Sequence, residues 1–504
     1  MKRAKRFFVN AFIMSCTTVF LRGAEVMYNV YITNRIGAEG IGLFGLIMSV
    51  YMLATTVASS GAELATTRLI TEEKTLGCDK GARRAMVVCL LYTLFFGLLA
   101  ACLLISVAPF AGRYWLGDER TIRPLYLLSV SLPFLSLSSA LNGYFMAVRR
   151  VAKSASARIF ELMVKVLVTT FALKQYADRG MEYACMAVVG GGSVAEICSF
   201  FYLYVLYGFE RRRKANKREQ EKRYTRRLLH MSLPLAISSY LRSGLVTVEH
   251  LLVPRGLKKY GASASASLAQ YGVVHGMVMP ILLFPSAILG AFSGLLIPEL
   301  TEFQKRKNEK QICRIATKAL RTTLFFSIGA AGIFWFFANE IGMAIYKSGD
   351  AGLFIKFLAP LVLVMYTDHV VDSMLKGLNQ QVYSMRYNII DSAVSVVLIY
   401  TLLPHFGVNG YIAVIFITEL LNGFLSINRL MKVTELKVGF LQELLLPCSA
   451  VFVAACLVRF GSVVLFGTVS YQRLAVFGSI VCTALVYVVF LYCFGCLKNR
   501  KSAD

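Results

Sequence analysis

The chain alternates between long apolar runs and short segments crowded with charge. Residues 85–109, 125–148, 324–338 and 474–497 run about 15–25 positions without a formal charge. A helix rises about 1.5 Å per residue, so about 20 apolar residues cross a hydrocarbon layer about 30 Å thick. Within the bilayer every backbone polar group must be bonded inside the chain, which leaves helices or closed barrels. The short, strictly alternating segments of a barrel are absent. The pattern predicts an all-α polytopic membrane protein with about fourteen spans. They lie near 7–33, 41–65, 85–109, 124–148, 157–177, 183–207, 228–253, 268–298, 322–338, 357–378, 387–403, 410–427, 441–458 and 474–497. An even number places both termini on one side.

Composition agrees. Of the 504 residues, 57% are hydrophobic and 16% charged, against about 25% charged in ordinary soluble domains. This excludes a disordered, coiled-coil or collagen-like chain and argues against a soluble enzyme. The formal charge of +26 by itself fits nucleic acid, a membrane surface or basic loops between spans. Sorting the 54 Lys and Arg by loop decides between them. Thirty-eight fall on one face of the scheme, thirteen on the other, and only Arg22, Lys165 and Arg242 within spans. Cytoplasmic loops hold the basic excess, so both termini are expected in the cytoplasm of a cell-membrane protein, and no nucleic-acid partner is expected. The basic start Met1–Arg6 resembles a signal peptide, but the first span is too long, carries Arg22 and Glu25, and lacks a clear cleavage site. The twelve Cys lie mostly inside spans and read as small packing residues. Cys493 and Cys496 form a CxxC with no partner pair.

The chain also looks duplicated. Leu21-Arg22-Gly23 returns as Leu241-Arg242-Ser243 at an offset of 220, and Ile32–Arg35 returns as Leu252–Arg255 at the same offset. Ser154, Ile159 and Glu161 match Ser384, Ile389 and Asp391 at an offset of 230, and Glu196 and Glu419 fall in spans six and twelve. The expected plan is an N-lobe at 1–209, a basic cytoplasmic linker at 210–227, a C-lobe at 228–430, and two further helices with a tail at 431–504. Six spans restore the starting side, so the two six-helix lobes are parallel repeats, an arrangement typical of alternating-access transporters. No HExxH, P-loop or Gly-x-Ser-x-Gly is present, so no enzyme activity and no resident cofactor are expected. Coupling would come from Na+, H+ or the membrane potential.

Charges within spans are costly and mark candidate sites. Arg22 and Glu25 are three apart and share a helix face. Either they pair with each other, or Arg22 and Arg242 offer guanidinium forks to a phosphate. Glu63, beside Ser59–Gly61, reads as a gate residue, as a partner of Arg68, or as a side chain snorkelling to the interface. Asp368, Asp372 and Lys376 recur every fourth residue, with His369 beside them, and form either an ion-pair ladder or a water-filled relay. His275 titrates near neutral pH when solvated but equally serves as a packing residue. Pro280 and Pro285 should bend span 8, and Gly190–Gly192 should loosen span 6.

Particular runs resemble a known family. They are Asn34-Arg-Ile-Gly-Ala-Glu-Gly-Ile-Gly-Leu43, Ala65-Thr-Thr-Arg-Leu-Ile-Thr-Glu72, Leu251–Arg255, Gln270–Gly272, Gly276–Pro280 and Ile297–Glu302. They are similar to the stage V sporulation protein B branch of the multidrug/oligosaccharidyl-lipid/polysaccharide exporter superfamily. The resemblance spans nearly the whole chain. It implies a flippase for an undecaprenyl-linked glycan, with peptidoglycan lipid II first and other lipid-linked oligosaccharides next, acting as a monomer among membrane lipids. Related lipid II flippases line their cavity with arginines on spans one, two and eight. Here span 8 has His275 instead, and span 2 only Arg68. The resemblance further implies Arg22, Glu25, Glu63, Arg68, Arg242 and His275 toward substrate, and Glu249 (beside His250), Asn388 and Asp391 as candidate sodium ligands by residue type and helix. Asp368, Asp372, Pro280 and Pro285 would serve gating or relay. The rival readings are a cation-coupled multidrug antiporter of the same superfamily and a membrane-embedded glycan polymerase or ligase.

Overall fold

The computed structural model describes residues 2–76, 79–211, 224–434, 441–466 and 473–494. Among these every element is helical. The first are α1 (Lys2–Ser59), α2 (Ala62–Thr75), α3 (Asp79–Phe110), α4 (Ile122–Ala147), α5 (Val151–Tyr176), α6 (Met181–Arg211), α7 (Tyr224–Tyr260) and α8 (Ala264–Tyr271). A π-helical segment, Gly272–Val278, leads into α9 (Met279–Leu283) and α10 (Ser286–Lys305). Then follow α11 (Glu309–Phe336), α12 (Ala338–Tyr346), α13 (Gly349–Leu358), α14 (Leu361–Gly377), α15 (Gln381–Thr434), α16 (Leu446–Phe466) and α17 (Arg473–Cys493).

By length and composition, ten helices among the described residues can cross a membrane, or eleven if α13 and α14, bent by 59°, form one span. Fourteen were expected. Two of the ten, Cys16–Thr75 and Gln381–Thr434, run 60 and 54 residues, more than twice what one crossing needs. Each is kinked at a glycine in the left-handed region: Gly37 at φ 74° and Gly407 at φ 54°. A side chain resists that conformation. Helices α5 and α7, of 26 and 37 residues, are long enough to cross but carry Glu161, Lys165 and Arg242 within their length.

The chain divides into two compact units, one of 1–258 with 262–272, the other of 259–261 with 273–504. In the first, α3 and α4 pack side by side around Ala85, Met86, Cys89, Leu141 and Phe145, all buried. Helix α7, placed by sequence in the second lobe, bonds within the first unit: Thr247 donates to the Ser49 carbonyl at 3.1 Å, and Thr56 to the Ser243 hydroxyl at 3.1 Å. Gly190–Gly192 does not loosen α6, which runs unbroken. Instead, a Cβ on Gly191 would stand 2.0 Å from the Thr169 hydroxyl, so the glycine lets α5 and α6 approach closely.

In the second unit, the run from Val273 through α9 to α10 is interrupted rather than smoothly bent. Pro280 sits in the first turn of α9, where no donor is required. Pro285 stands at the break before α10, and the Tyr366 hydroxyl donates to the Leu282 carbonyl there. A backbone group freed by a break in lipid needs such a partner. The final helices dock through Tyr487, which donates to the Phe325 carbonyl at 2.8 Å and fills the space beside Gly329. Arg459 pairs with buried Glu340 at 3.0 Å, and Arg473 donates to the Ala344 carbonyl at 3.0 Å. Two of the basic residues that the loop count assigns to the minority face are therefore anchors. Cys496 and most of the basic linker lie outside the described residues.

The internal repeat extends to hydrogen bonds. Ser154 donates to Asn142 at 2.6 Å, and its repeat mate Ser384 donates to Asp372, the mate of Asn142. Thr67 donates to the Gly143 carbonyl at 3.1 Å, and in the second half Thr301 donates to the Gly377 carbonyl at 2.9 Å. Gly117 and Arg149 take φ of 65° and 58°; Lys347 and Asn379, their mates at the offset of Ser154 and Ser384, take 54° and 56°.

Candidate functional site

Inside hydrocarbon a charged side chain is tolerated where other polar groups meet it. The first unit supplies such a meeting. On α1, Arg22 and Glu25 lie on one face, 3.6 Å apart, with side chains 46% and 53% exposed. Glu161 and Lys165, one turn apart on α5, come next. Glu161 lies in the fields of Lys165, Arg158 and Glu25 and is hydrogen-bonded by Ser199 of α6. The Lys165 ammonium stands 5.1 Å over the Tyr28 ring, and the Tyr28 hydroxyl is 2.8 Å from that of Thr169. Glu196 of α6 completes the tract. The buried Tyr51 hydroxyl donates to its two oxygens at 2.7 and 3.0 Å and lies 2.8 Å from Ser131.

Helices α1, α4, α5 and α6 thus bring three carboxylates, two cations and a set of hydroxyls into one tract. Neutral hydroxyls hold Glu196, and it forms no ion pair among the described residues. Cations and acceptors of this kind can hold a polar, anionic headgroup through charge-assisted bonds.

Among the described residues the other sequence candidates form no ion pair with this tract, and several close in local pairs. Arg242 is exposed on α7, with no ion pair among the described residues. Glu63 and Arg68 are exposed on α2 and form no ion pair with each other. Glu249 lies near Tyr271, whose hydroxyl is 2.6 Å from His250 Nδ1. In the second unit, His275 in the π-helical segment bonds the Tyr411 hydroxyl. Asn422 donates to Asp368 at 3.0 Å, and Lys376 pairs with Asp372 at 2.6 Å. His369 lies against Gly290. Asn388 donates to the Ser384 carbonyl at 2.8 Å, one turn before Asp391. Glu249 belongs to the first unit and Asn388 and Asp391 to the second. Among the described residues no group of three His, Cys, Asp or Glu is arranged to hold a metal.

Glu161, Lys165, Glu196 and Tyr51 were not singled out as site residues. The two glutamates served only as repeat markers and Lys165 as an exception to the loop count, yet all three are charges within apolar spans. Tyr51 carries no signal of its own.

Residues 7–304, more than half the chain, match the model of a family described as polysaccharide biosynthesis protein. The chain belongs to this family. Within and around it, the chain is 26% identical over 483 residues to Stage V sporulation protein B of Bacillus subtilis (strain 168), covering 94% of this chain and 92% of that protein. It is 22% identical over 458 residues to Lipid II flippase MurJ of the same organism, covering 83% and 82%. A solved structure described as lipid II flippase MurJ in an inward closed conformation superposes with a TM-score of 0.69 at 14% identity, over 96% of this chain and 99% of that one. An inward-facing multidrug resistance MATE transporter of the MOP superfamily gives 0.65 at 12% identity, over 83% and 96%. This polysaccharide biosynthesis family member therefore has the fold of MOP superfamily transporters, and MurJ among its relatives is named as a flippase.

Proposed function

We propose that the protein is an alternating-access flippase. It carries an undecaprenyl-linked glycan precursor, lipid II or a related lipid-linked oligosaccharide, from the inner to the outer leaflet of the cytoplasmic membrane, with both termini in the cytoplasm. The observation that carries the reading is homology along nearly the whole chain to Stage V sporulation protein B and to the relative named as a lipid II flippase. The polar tract supports it. A pyrophosphate-sugar headgroup cannot cross hydrocarbon without polar partners, and Arg22, half exposed inside an apolar helix, offers two donors to a phosphate. Lys165, Tyr51 and the carboxylates would meet the sugar hydroxyls. The break at Pro285 and the π-helical segment supply a run of helix able to change its winding.

The test is reconstitution of the full chain in vesicles carrying fluorescent lipid II in the inner leaflet. Appearance of the headgroup outside supports the reading. Failure with lipid II and with other undecaprenyl-linked oligosaccharides removes it. The carboxylates Glu25, Glu161 and Glu196 favour a second reading, a cation-coupled multidrug antiporter. It predicts uptake of a cationic dye driven by a proton or sodium gradient in the same vesicles, without movement of lipid II.

A further inference from the structure

The first turns of α7 carry a second polar feature, separate from the tract. A cavity of about 660 Å³ is lined by Arg226, Arg227, Leu229, His230, Met231 and Leu233. Its lining combines two chemistries along one helix: Arg226, Arg227 and His230 interleave with Leu229, Met231 and Leu233. Arg227 is spoken for: it pairs with Glu72 and, at 3.8 Å, with buried Glu73 of α2, while Tyr224 donates to Glu73 at 3.3 Å. These bonds tie the start of α7 to α2. Arg226 and His230, one turn apart and therefore on one face, are exposed and have no ion pair among the described residues. Leu229 and Leu233 lie on the same face, 39% and 46% exposed. In sequence the feature follows directly on eight basic residues between 211 and 223.

We propose that this cavity binds an acidic phospholipid of the bilayer, with the phosphate between Arg226 and His230 and an acyl chain along Leu229 and Leu233. Two basic side chains with no ion pair among the described residues select an anion, and the adjoining apolar side chains select one that carries hydrocarbon. Basic pockets at the cytoplasmic ends of membrane helices bind anionic headgroups on these terms. A soluble anion would leave the leucines unused, and a zwitterionic lipid would bring its own cation against Arg226. The site is distinct from the tract around Arg22, so occupancy does not require the flippase reading to hold.

The experiment uses the delipidated full chain in detergent, titrated with phosphatidylglycerol, phosphatidylcholine, undecaprenyl phosphate or inorganic phosphate. Bound lipid is read by native mass spectrometry and stability by thermal shift. Phosphatidylglycerol should bind and stabilise, with phosphatidylcholine weaker. Each cation near an anionic headgroup is worth about a fivefold change in affinity, so Arg226→Gln with His230→Gln should weaken phosphatidylglycerol at least about fivefold. Arg226→Lys should retain binding, and Lys310→Gln, an exposed cation elsewhere, should leave it unchanged. The proposal is overturned if the double variant keeps the wild-type preference, or if Lys310→Gln loses as much. It is overturned equally if inorganic phosphate binds as tightly as phosphatidylglycerol, or if undecaprenyl phosphate alone binds. Lipid II flipping by the double variant is scored in parallel, so that failure here and failure of the transport reading are told apart.

Discussion

In the first unit, Arg22, Glu25, Glu161, Lys165 and Glu196 come from three helices and act on one another, whereas in the second Asp368, Asp372 and His275 each close on a neighbour. Both units draw on the same repeat, down to the bond from Ser154 to Asn142 and its counterpart from Ser384 to Asp372. The difference lies in how the charges are held. Glu196 is held by uncharged hydroxyls and forms no ion pair among the described residues, whereas Asp372, one turn from Lys376, is paired within its own helix. A shared scaffold therefore links the charges of the first unit across helices and leaves those of the second in local pairs.

Substitutions can break or sharpen this contrast. The largest effect is expected at Arg22. Arg22→Ala removes charge-assisted bonds worth about 1.5–3 kcal/mol each, so flipping of lipid II in vesicles should fall about tenfold to a hundredfold while expression and elution profile stay unchanged. Full activity of that variant would end the role assigned to the tract. Next is the spacing of α5 and α6. Gly191→Ala pushes a methyl into the Thr169 hydroxyl, and overpacking of this kind costs about 1–3 kcal/mol. A lowered melting temperature in detergent should accompany slower flipping. Glu196→Gln keeps an acceptor for Tyr51 but removes the charge, and flipping should drop severalfold with little change in melting temperature. Its foil in the second unit is Asp368→Asn, which leaves an oxygen for Asn422 and should change flipping less than twofold. The smallest effect belongs to Lys376→Gln. The lysine is 44% exposed, exposed pairs are worth about 0–1 kcal/mol, and neither stability nor flipping should move measurably.

Fold class was legible because apolar runs are the strongest signal a membrane chain carries. The divisions within it were legible as well: the gaps read between 33 and 41 and between 403 and 410 bracket Gly37 and Gly407, where the chain passes from one helix into the next through a single left-handed residue. Arg22 and Glu25 could be paired by spacing alone. The company they keep could not, since Glu161 and Glu196 reach them from α5 and α6, far along the chain, and Tyr51 looks like any apolar-span tyrosine. Gly190–Gly192 misled for a related reason. The composition suggested a weak helix, while the close approach of Thr169 that requires Gly191 is a tertiary fact.

The recurrence of left-handed positions at one offset has a practical consequence. The two halves of this chain match at one offset in hydrogen bonds and in left-handed positions while differing in residue type. Where they disagree at the same geometry, one half has already trialled an answer the other lacks. Glycine stands at 117 where lysine stands at 347, both in the left-handed conformation, which burdens a side chain. The molecule thus carries its own two-row alignment, and Lys347→Gly is the first substitution it recommends.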